Sequence, residues 1–403
     1  MPNPLKNQNI LLGVTGSIAA YKAADLASKL HQADAIVDIV LTNSALQFIT
    51  PLTFQSVTGR KAYTDADLWG REGHVTHIGL GKTSQLILIA PASANTIAKL
   101  AQGIADNLLS LTVLASHCPL LIAPAMDAGM YDHPATTENI GILKNRGTYF
   151  IGPSAGHLAS GLVGVGRMSE PQDILNHARW ILAAGGPLSG KKIVITAGGT
   201  QEPIDPVRLI TNRSSGKQGF ALAQAATDAG ADVVLVSTVA NLTVPAGTSL
   251  VKVRTAAEMH QAVLQEIQNA DALIMAAAVA DFRPAKPAGQ KIKKDTGLTA
   301  IPLEPTADIL QAVNEYRKGT GFPRKVIGFA AESQNLLENA AKKLNAKGLD
   351  LIIANDISAP DAGFEADTNQ VTFLYPNGTQ KQLPTMSKSE VSEKIIEQVI
   401  EWC

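Results

Sequence analysis

The sequence is poor in the residues that define several classes of protein. Its 403 residues include two cysteines, Cys118 and Cys403, which lie far apart and fit no paired motif. This argues against a disulfide framework or a thiolate zinc site, and it favours a reducing compartment. The sequence shows no apolar stretch long enough to cross a bilayer and no signal-peptide pattern at its start. We therefore expect a cytoplasmic protein without a membrane partner.

Aromatic residues and net charge are also scarce. Aromatic side chains make up 4% of the sequence, so Ala, Val, Ile and Leu must build the core. The formal net charge is −1, which gives no electrostatic case for binding nucleic acid. The length is that of a two-domain protein.

What the sequence does contain is an alternation of short apolar runs and amphipathic stretches. Continuous apolar runs predict parallel strands that are covered on both faces. In the first half, strands are predicted at 10–14, 36–41, 86–90 and 120–123, and helices at 18–30, 95–101, 107–115, 136–146 and 173–183. The Gly-rich break at 185–190 predicts a boundary between domains 1–186 and 187–403.

The alternation restarts after the break. Strands are predicted at 193–196, 233–237, 273–276, 326–329 and 351–354, and helices at 219–229, 256–268, 307–317 and 336–347. Residues 371–382 predict a hairpin, either a dimer contact or a plain surface feature, and Ser387 and Glu390 form a capping box that opens the last helix. The predicted fold class is α/β, with two doubly wound (Rossmann-like or flavodoxin-like) parallel-sheet domains in tandem.

A Gly-rich turn joins the first predicted strand to the first helix. Gly16 and Ser17 could offer N–H groups and a hydroxyl to a phosphate at the positive helix end, although a plain tight turn is the alternative. The glycine spacing is not that of the dinucleotide fingerprint, so a mononucleotide fits better. After the strand at 86–90, Ser93 and Asn95 could bind a flat heteroaromatic ring, cap the next helix, or do both.

The second half carries a loop, residues 208–219, that combines cations, hydroxyls and glycines just before an apolar helix. Small residues at a helix start let an anion approach the backbone, so this loop predicts a phosphate site. The alternative is a set of ordinary surface charges. The residues concerned are Arg208, Asn212, Ser214, Ser215, Gly216 and Lys217.

Two histidines three positions apart, His74 and His77, follow the second predicted strand. A metal pair is conceivable, but no third ligand has suitable spacing. One histidine could instead transfer a proton, or it could be purely structural.

These motifs together resemble a known family. The runs 13–22, 77–82, 91–96, 124–130 and 161–168 resemble the flavin-dependent cysteine decarboxylases, and the second half is similar to phosphopantothenate–cysteine ligase. Joined in this order, they resemble the bacterial bifunctional phosphopantothenoylcysteine decarboxylase/phosphopantothenate–cysteine ligases of coenzyme A synthesis. The resemblance covers nearly the whole chain.

For the first domain, the resemblance implies FMN as the cofactor that supplies the redox chemistry of decarboxylation. It implies His77 as a base or orienting group, and cofactor contacts from Gly16, Ser17, Ser44, Ser93, Asn95 and Met126. It also places Asp127 where the family has an asparagine that holds the substrate carboxylate, and Ser160 where a cysteine acts as an acid.

These two departures bear on the reaction. A carboxylate at Asp127 would repel the substrate carboxylate unless it is protonated or has a cationic neighbour such as Arg167. A serine hydroxyl at Ser160 is a weaker acid than a thiol. Another acid or water could act, the reaction could stop at the enethiol, or the domain could be impaired. The intact surrounding motifs favour a working variant.

For the second domain, the resemblance implies an acyl-cytidylate mechanism. The carboxylate of phosphopantothenate attacks CTP, and cysteine then displaces CMP. Asn212 would stabilise the intermediate and Lys291 would belong to a segment that closes over it. Further nucleotide or substrate contacts are implied for Arg208, Ser214, Ser215, Gly216, Lys217, Asp281, Lys293, Phe329 and Asn355.

The resemblance also implies partners and leaves alternatives open. Mg²⁺ would be held mainly by the triphosphate rather than by protein ligands. A homo-oligomer is implied, with trimeric flavin domains and dimeric ligase domains, up to a dodecamer. Alternatives are a flavin prenyltransferase-like or peptide-cysteine decarboxylase, a ligase whose flavin domain is impaired or produces the enethiol, and a flavin-binding regulatory or scaffold protein.

Overall fold

The chain divides into two compact units, residues 2–183 and 184–403. The computed structural model describes residues 3–69, 75–293, 300–332, 335–356 and 368–403. Each unit is an α/β structure built around its own parallel sheet. None of the helices in these described ranges is long and apolar enough to cross a membrane.

The first unit alternates strands and helices along almost its whole length. Its elements are β1 Asn9–Val14, α1 Ala20–Gln32, β2 Ile36–Leu41, α2 Pro51–Thr58, β3 Ala62–Tyr63, α3 Thr76–Thr83, β4 Leu86–Ala92, α4 Ala94–Gln102, α5 Leu108–Leu114, β5 Leu120–Pro124, α6 Ala128–Tyr131, α7 Pro134–Asn145, β6 Tyr149–Phe150, β7 Ser154–His157, β8 Val163–Arg167 and α8 Pro171–Ala183. Helices α2 and α3 and the β7–β8 hairpin were not predicted, because their sequences carry little periodic signal.

The main sheet of the first unit has the strand order β3-β2-β1-β4-β5-β6, and its neighbouring strands are parallel. Alternate residues of β1 pack on opposite faces. Leu12 packs with Leu26 of α1 and Ile174 of α8, whereas Leu11 packs with the helices on the other face. The continuous apolar run of β1 thus reflects burial on both sides.

The second unit repeats this plan with more strands. Its elements are β9 Lys192–Ala197, β10 Gln201–Pro203, β11 Leu209–Thr211, α9 Lys217–Asp228, β12 Asp232–Ser237, β13 Ser249–Lys252, α10 Ala256–Glu266, β14 Ala272–Met275, β15 Phe282–Pro284, β16 Leu303–Pro305, α11 Ile309–Thr320, β17 Lys325–Glu332, α12 Leu336–Lys347, β18 Leu351–Asp356, β19 Thr368–Asn369, β20 Val371–Leu374, β21 Gln380–Gln382, β22 Met386–Ser387 and α13 Lys388–Trp402.

The main sheet of the second unit has the order β13-β12-β9-β14-β17-β18-β20-β21. The first six strands in this order, from β13 to β18 across the sheet, run parallel. Strand β20 pairs antiparallel with β18 and with β21. The α/β fold class is confirmed, but the second sheet is mixed rather than wholly parallel. The predicted hairpin is therefore part of the main sheet, where it extends the β18 edge.

Helix ends follow the predicted capping chemistry where the sequence signal was strong. Ser387 and Glu390 form the predicted capping box at the start of α13, with mutual side-chain to backbone hydrogen bonds. Helix α13 packs against α9 on one face of the second sheet, and α10, α11 and α12 cover the other face. The N-termini of α9 and α13 therefore lie on the same side of the sheet.

The first core predicts a large stability difference between two phenylalanines. Phe54 is completely buried beneath α1, whereas Phe48 is 51% exposed. Phe54→Ala should lower the free energy of unfolding of the first unit by about 3–5 kcal/mol, because it leaves a cavity. Phe48→Ala is the matched control and should cost at most about 1 kcal/mol. Urea unfolding followed by circular dichroism measures both, and equal losses would contradict this account of the core.

Candidate active sites in the two units

The first candidate site lies where strand order reverses in the first sheet. Strand β1 lies between β2 and β4, so the loops that follow β1 and β4 leave the sheet in different directions. Such a reversal opens a crevice at the carboxyl ends of the strands. Gly16 and Ser17 follow β1, and Ser93 and Asn95 follow β4. The fold thus brings four of the predicted flavin contacts to one crevice.

A threonine that sequence reasoning missed joins these two loops. Thr15 donates from its N and Oγ1 to the carbonyl of Pro91, at 3.3 and 2.8 Å. Its Oγ1 also accepts from the backbone N of Ser93 at 2.9 Å. Thr15 is buried, so these bonds fix one wall of the crevice relative to the other.

Close packing explains why a glycine stands at position 16. A Cβ on Gly16 would lie 2.5 Å from the Cβ of Ser44, in the loop after β2. Ser93 caps α4 by accepting from the N of Thr96 at 3.3 Å, so the capping alternative holds for this residue. The side chain of Asn95 is exposed at the first turn of α4. A small, polar cradle of this kind fits a phosphate and a flat ring.

His77 lies in the first turn of α3. The Nδ1 atom of its imidazole ring is buried and has no hydrogen-bond partner among the described residues. A buried polar atom of this kind calls for a ligand, a water or a partner chain. His74 lies outside the described residues. Within the part of the chain that is described, no group of three or more His, Cys, Asp and Glu side chains could hold a metal ion.

The two residues that depart from the family pattern contact each other. Ser160 Oγ donates to Asp127 Oδ2 at 2.6 Å, and the N of Gly129 donates to Asp127 Oδ1 at 3.0 Å. These hydrogen bonds, that of Ser160 above all, hold the pKa of Asp127 below its usual range. The carboxylate is therefore ionised at neutral pH, and the Ser160 proton is directed at it.

The cationic neighbour expected for Asp127 is not Arg167. Arg167 Nη2 instead pairs with Glu170 Oε1 at 2.9 Å, and Glu170 also accepts from Lys22 at 2.8 Å. A backbone hydrogen bond of the preceding residue also holds the Asp127 segment in place. The N of Met126 donates to the O of Gly166 in β8 at 3.0 Å, which joins the segment before α6 to the β7–β8 hairpin.

The second candidate site lies at the corresponding reversal in the second sheet, between β9 and β14. A cavity of about 450 Å³ opens there. The predicted residues that line it are Asn212, Ser214, Ser215, Gly216, Asp281, Phe329 and Asn355. Tertiary structure thus joins the phosphate loop to the ends of three later strands.

Hydrogen bonds hold Asn212 in the wall of this cavity. Its Nδ2 donates to the carbonyl oxygens of Val279 and Ala278, at 3.2 and 3.5 Å. A Cβ on Gly199 would lie 2.5 Å from the carbonyl oxygen of Asn212, so the Gly-rich turn after β9 lets this loop cross closely. The amide therefore bridges the loops that follow β9 and β14.

Sequence reasoning missed the lysines that line this cavity. Lys343 and Lys347 lie four residues apart on one face of α12, and Lys388 begins α13. Lys343 Nζ donates to the carbonyl of Phe329 at 3.0 Å, and Lys347 pairs with Asp308. The i,i+4 spacing was available as a signal, but only the fold shows that this face of α12 meets the strand ends.

Arg208 was predicted to contact the substrate or nucleotide, but it does not line the cavity. It makes a two-nitrogen ion pair with the buried carboxylate of Asp205, and its Nη2 donates to the carbonyl of Ile292 at 2.7 Å. The Arg208 hydrogen bonds hold the pKa of Asp205 far below its usual range, despite burial. Because Ile292 N also donates to Asp205 at 3.1 Å, Arg208 anchors the segment that carries Lys291.

Three other predicted cations, Lys217, Lys291 and Lys293, are exposed and do not line the cavity. Lys294, which follows Lys293 in the same segment, lies outside the described residues. The structure therefore places the Lys291 segment beside the site through its Arg208 and Asp205 anchor, and not within the cavity.

Curated bacterial proteins match nearly the whole chain. The coenzyme A biosynthesis bifunctional protein CoaBC of Bacillus subtilis (strain 168) is 47% identical over 398 residues, covering 98% of this chain and 97% of that protein. The chain belongs to the CoaBC family. The CoaBC protein of Mycobacterium tuberculosis (strain ATCC 25618 / H37Rv) is 40% identical and covers 98% of this chain and 96% of that protein.

Family models divide the chain as its structure does. Residues 1–180 match the family described as Flavoprotein, and residues 188–402 match the DNA/pantothenate metabolism flavoprotein C-terminal domain. Among solved structures, the C-terminal domain of a CoaBC protein is 40% identical, has a TM-score of 0.46, and covers 54% of this chain and 98% of that chain. Because both halves match, a purely regulatory flavin-binding protein is not favoured.

The Asp127–Ser160 contact predicts a titration shift. Ser160→Ala removes the hydrogen bond that contributes most to the low pKa of Asp127, so this pKa should rise toward its ordinary value. The carboxyl carbon resonance of Asp127, followed by NMR as pH falls, measures the change. Ser154→Ala in the same hairpin is the matched control and should leave the titration where it is. An unshifted Asp127 pKa in Ser160→Ala would show that the two side chains are apart in solution.

Proposed function

We propose that this chain is a bifunctional enzyme of coenzyme A biosynthesis. Domain 187–403 couples 4′-phosphopantothenate to cysteine with CTP, and domain 1–186 decarboxylates the resulting phosphopantothenoylcysteine to 4′-phosphopantetheine. The observation that carries this proposal is the 47% identity over 98% of the chain to a bifunctional coenzyme A biosynthesis protein. Each unit has a crevice at its strand-order reversal, so that each reaction has a site of its own.

The ligase reaction first activates a carboxylate. The carboxylate oxygen of phosphopantothenate attacks the α-phosphorus of CTP, an acyl–O–P linkage forms, and the bond to pyrophosphate breaks. The negative charge that gathers on the phosphoryl oxygens needs fixed cations and N–H donors. Lys343 and Lys347 on one wall, and the start of α9 at Gly216 on the other, supply them. Mg²⁺ is held by the triphosphate and water.

The amide of Asn212 positions the acyl-nucleotide. Its neutral side chain bridges the two loops and lines the cavity, with Ser214 and Ser215 following in the same loop, which supports a role beside the transferred phosphate. Asp281, Phe329 and the anchored Lys291 segment border the nucleotide. Attack of the cysteine amine on the acyl carbon then forms the amide bond and expels CMP.

The flavin domain holds FMN, which when bound supplies the oxidation and reduction that decarboxylation requires. Gly16, Ser17 and Ser44 would hold its phosphate, and Ser93, Asn95 and Met126 would contact its ring. The residues present fit this group, since Gly16 leaves no room for a Cβ and the Nδ1 of His77 lacks a partner within the described ranges.

The acid–base residues of this domain differ from the family pattern. The hydroxyl of Ser160 donates a hydrogen bond to Asp127 Oδ2, so its proton is not directed at the substrate. The last protonation therefore falls to another acid or to water, and His77 orients the substrate or accepts a proton. The intact motif around both residues supports a working decarboxylase.

The assembly we propose is a homo-oligomer with trimeric flavin domains and dimeric ligase domains, up to a dodecamer, in the cytoplasm. Large apolar side chains on the surface of the first unit support it. Ile18 is 61% exposed, Tyr21 65% and Leu52 67%. Side chains of this kind commonly mark surfaces that another subunit covers.

A coupled assay tests the proposed function. Purified protein loaded with FMN should release pyrophosphate over many turnovers only when CTP, phosphopantothenate and cysteine are all supplied, because without cysteine the reaction stops at the acyl-cytidylate. Mass spectrometry should then detect phosphopantetheine. A product two hydrogens lighter as the sole product would show that the reduction stalls at the enethiol. Absence of pyrophosphate release with all three substrates would overturn the ligase proposal.

Two variants separate the half-reactions of the ligase. Asn212→Asp replaces the donor to Val279 with a carboxylate beside the phosphates, and should slow acyl-cytidylate formation by about 10²–10³-fold. Lys291→Gln should instead slow capture by cysteine, so that acyl-cytidylate accumulates. Rapid-quench sampling with labelled CTP measures both steps. Lys318→Gln, on the exposed last turn of α11, is the matched control and should behave as the wild type. Normal intermediate formation in Asn212→Asp would refute its assigned role.

A further inference from the structure

Three residues that line the cavity in the second unit carry amide oxygens that lack hydrogen-bond partners among the described residues. These are Gln218 Oε1, Asn355 Oδ1 and Asn369 Oδ1, all buried and all without a partner among the described residues. Asn355 is 9% exposed and Asn369 is 3% exposed. An unsatisfied buried acceptor costs about 1–3 kcal/mol, so three in one cavity point to a ligand that donates hydrogen bonds.

These three residues lie on the side of the sheet covered by α9 and α13. Gln218 is in the first turn of α9, and Asn355 alternates along β18 with Leu351 and Ile353, which pack in the core beneath those two helices. Lys343 and Lys347 belong to α12, on the opposite face. The cavity therefore has a cationic end and an amide end on opposite sides of the strand ends.

The orientation of Gln218 is fixed by its own donors. Its Nε2 donates to the carbonyl of Lys388 at 3.2 Å and to Ser392 Oγ at 2.8 Å. Turning the amide over would place an oxygen against that carbonyl, so Oε1 is fixed as the atom without a partner among the described residues. The amide end thus presents at least one acceptor whose identity the surrounding bonds determine.

A positive charge accompanies the acceptors. Lys388, which is 7% exposed, lines the same cavity at the first position of α13. The amide end therefore combines several acceptors for N–H groups with a cation that suits a carboxylate. A free α-amino acid carries both complementary groups on one carbon.

We propose that the amide end, formed by Gln218, Asn355, Asn369 and Lys388, binds the amino-acid substrate of the ligase. The amide oxygens accept from the amino group, and Lys388 faces the α-carboxylate. This inference rests on the proposed function, and it moves Asn355 from the nucleotide to the amino acid. Amide oxygens are uncharged, so they hold an amine without raising its pKa as a carboxylate would. That suits a nitrogen that must lose a proton before it attacks.

Asn369→Leu tests the proposal, because leucine keeps the volume and removes the acceptor. The KM for cysteine should rise about tenfold, while the KM values for CTP and phosphopantothenate change far less. Asn345→Ala, an exposed position on α12, is the control and should change none of the three. A rise in the KM for phosphopantothenate with a normal KM for cysteine would overturn the proposal, as would normal values for all three.

Asn369→Asp provides a second readout that packing damage would not produce. A carboxylate beside the amine raises the pKa of the bound amine, so the rate of capture should fall at neutral pH and recover as pH rises. An unshifted pH profile would count against the proposal.

A comparison of the rates with cysteine and with cysteamine, which lacks the carboxylate, tests the role of Lys388. Lys388→Met should narrow the preference of the enzyme for cysteine over cysteamine, and an unchanged preference would contradict the assignment.

These outcomes remain distinct from failure of the proposed function. If wild-type protein releases no pyrophosphate with CTP, phosphopantothenate and cysteine, the ligase assignment itself fails. If wild-type protein is active and Asn369→Leu binds cysteine normally, the ligase assignment stands and only the amide end is wrongly assigned. Thermal unfolding followed by circular dichroism confirms that each variant is folded before its kinetics are compared.

Discussion

Both candidate sites depend on the reversal of strand order in a parallel sheet. Where β1 separates β2 from β4, and where β9 separates β12 from β14, the connecting loops diverge and leave the strand ends open. Hydrogen bonds then fix the loops that border each opening. Thr15 joins the β1 and β4 loops in the first unit, and Asn212 joins the β9 and β14 loops in the second. The crevices are therefore consequences of topology, and a few polar side chains fix their width.

The Asp127–Ser160 contact gives the two unusual residues of the flavin domain a common explanation. A carboxylate at 127 would lack compensation beside a substrate carboxylate, and a hydroxyl at 160 is a poor acid. Paired at 2.6 Å, the hydroxyl satisfies the carboxylate and joins the turn between β7 and β8 to the segment before α6. Asp127 and Ser160 thus act together to position the β7–β8 hairpin.

In the second unit, Arg208 and the lysines of α12 occupy different surroundings. Arg208 is neutralised by the buried Asp205 and holds the backbone at Ile292, so it supports a segment and does not contact the cavity. The lysines of α12 line one side of the cavity, and three residues whose amide oxygens lack partners among the described residues lie on the other.

The sequence by itself determined the α/β class, the alternation of elements, the capping box at Ser387 and the phosphate-loop motif, because apolar periodicity and capping are local properties. It could not predict that the β20–β21 hairpin joins the main sheet at β18. It also did not predict the α2 and α3 helices or the β7–β8 hairpin, whose signals are short. Only the tertiary structure decided that Ser160 bonds Asp127, that Arg208 turns to Asp205, and that Lys343, Lys388 and Asn369 share a cavity. Such contacts join residues that are distant in sequence, and no local pattern encodes which strand ends will meet.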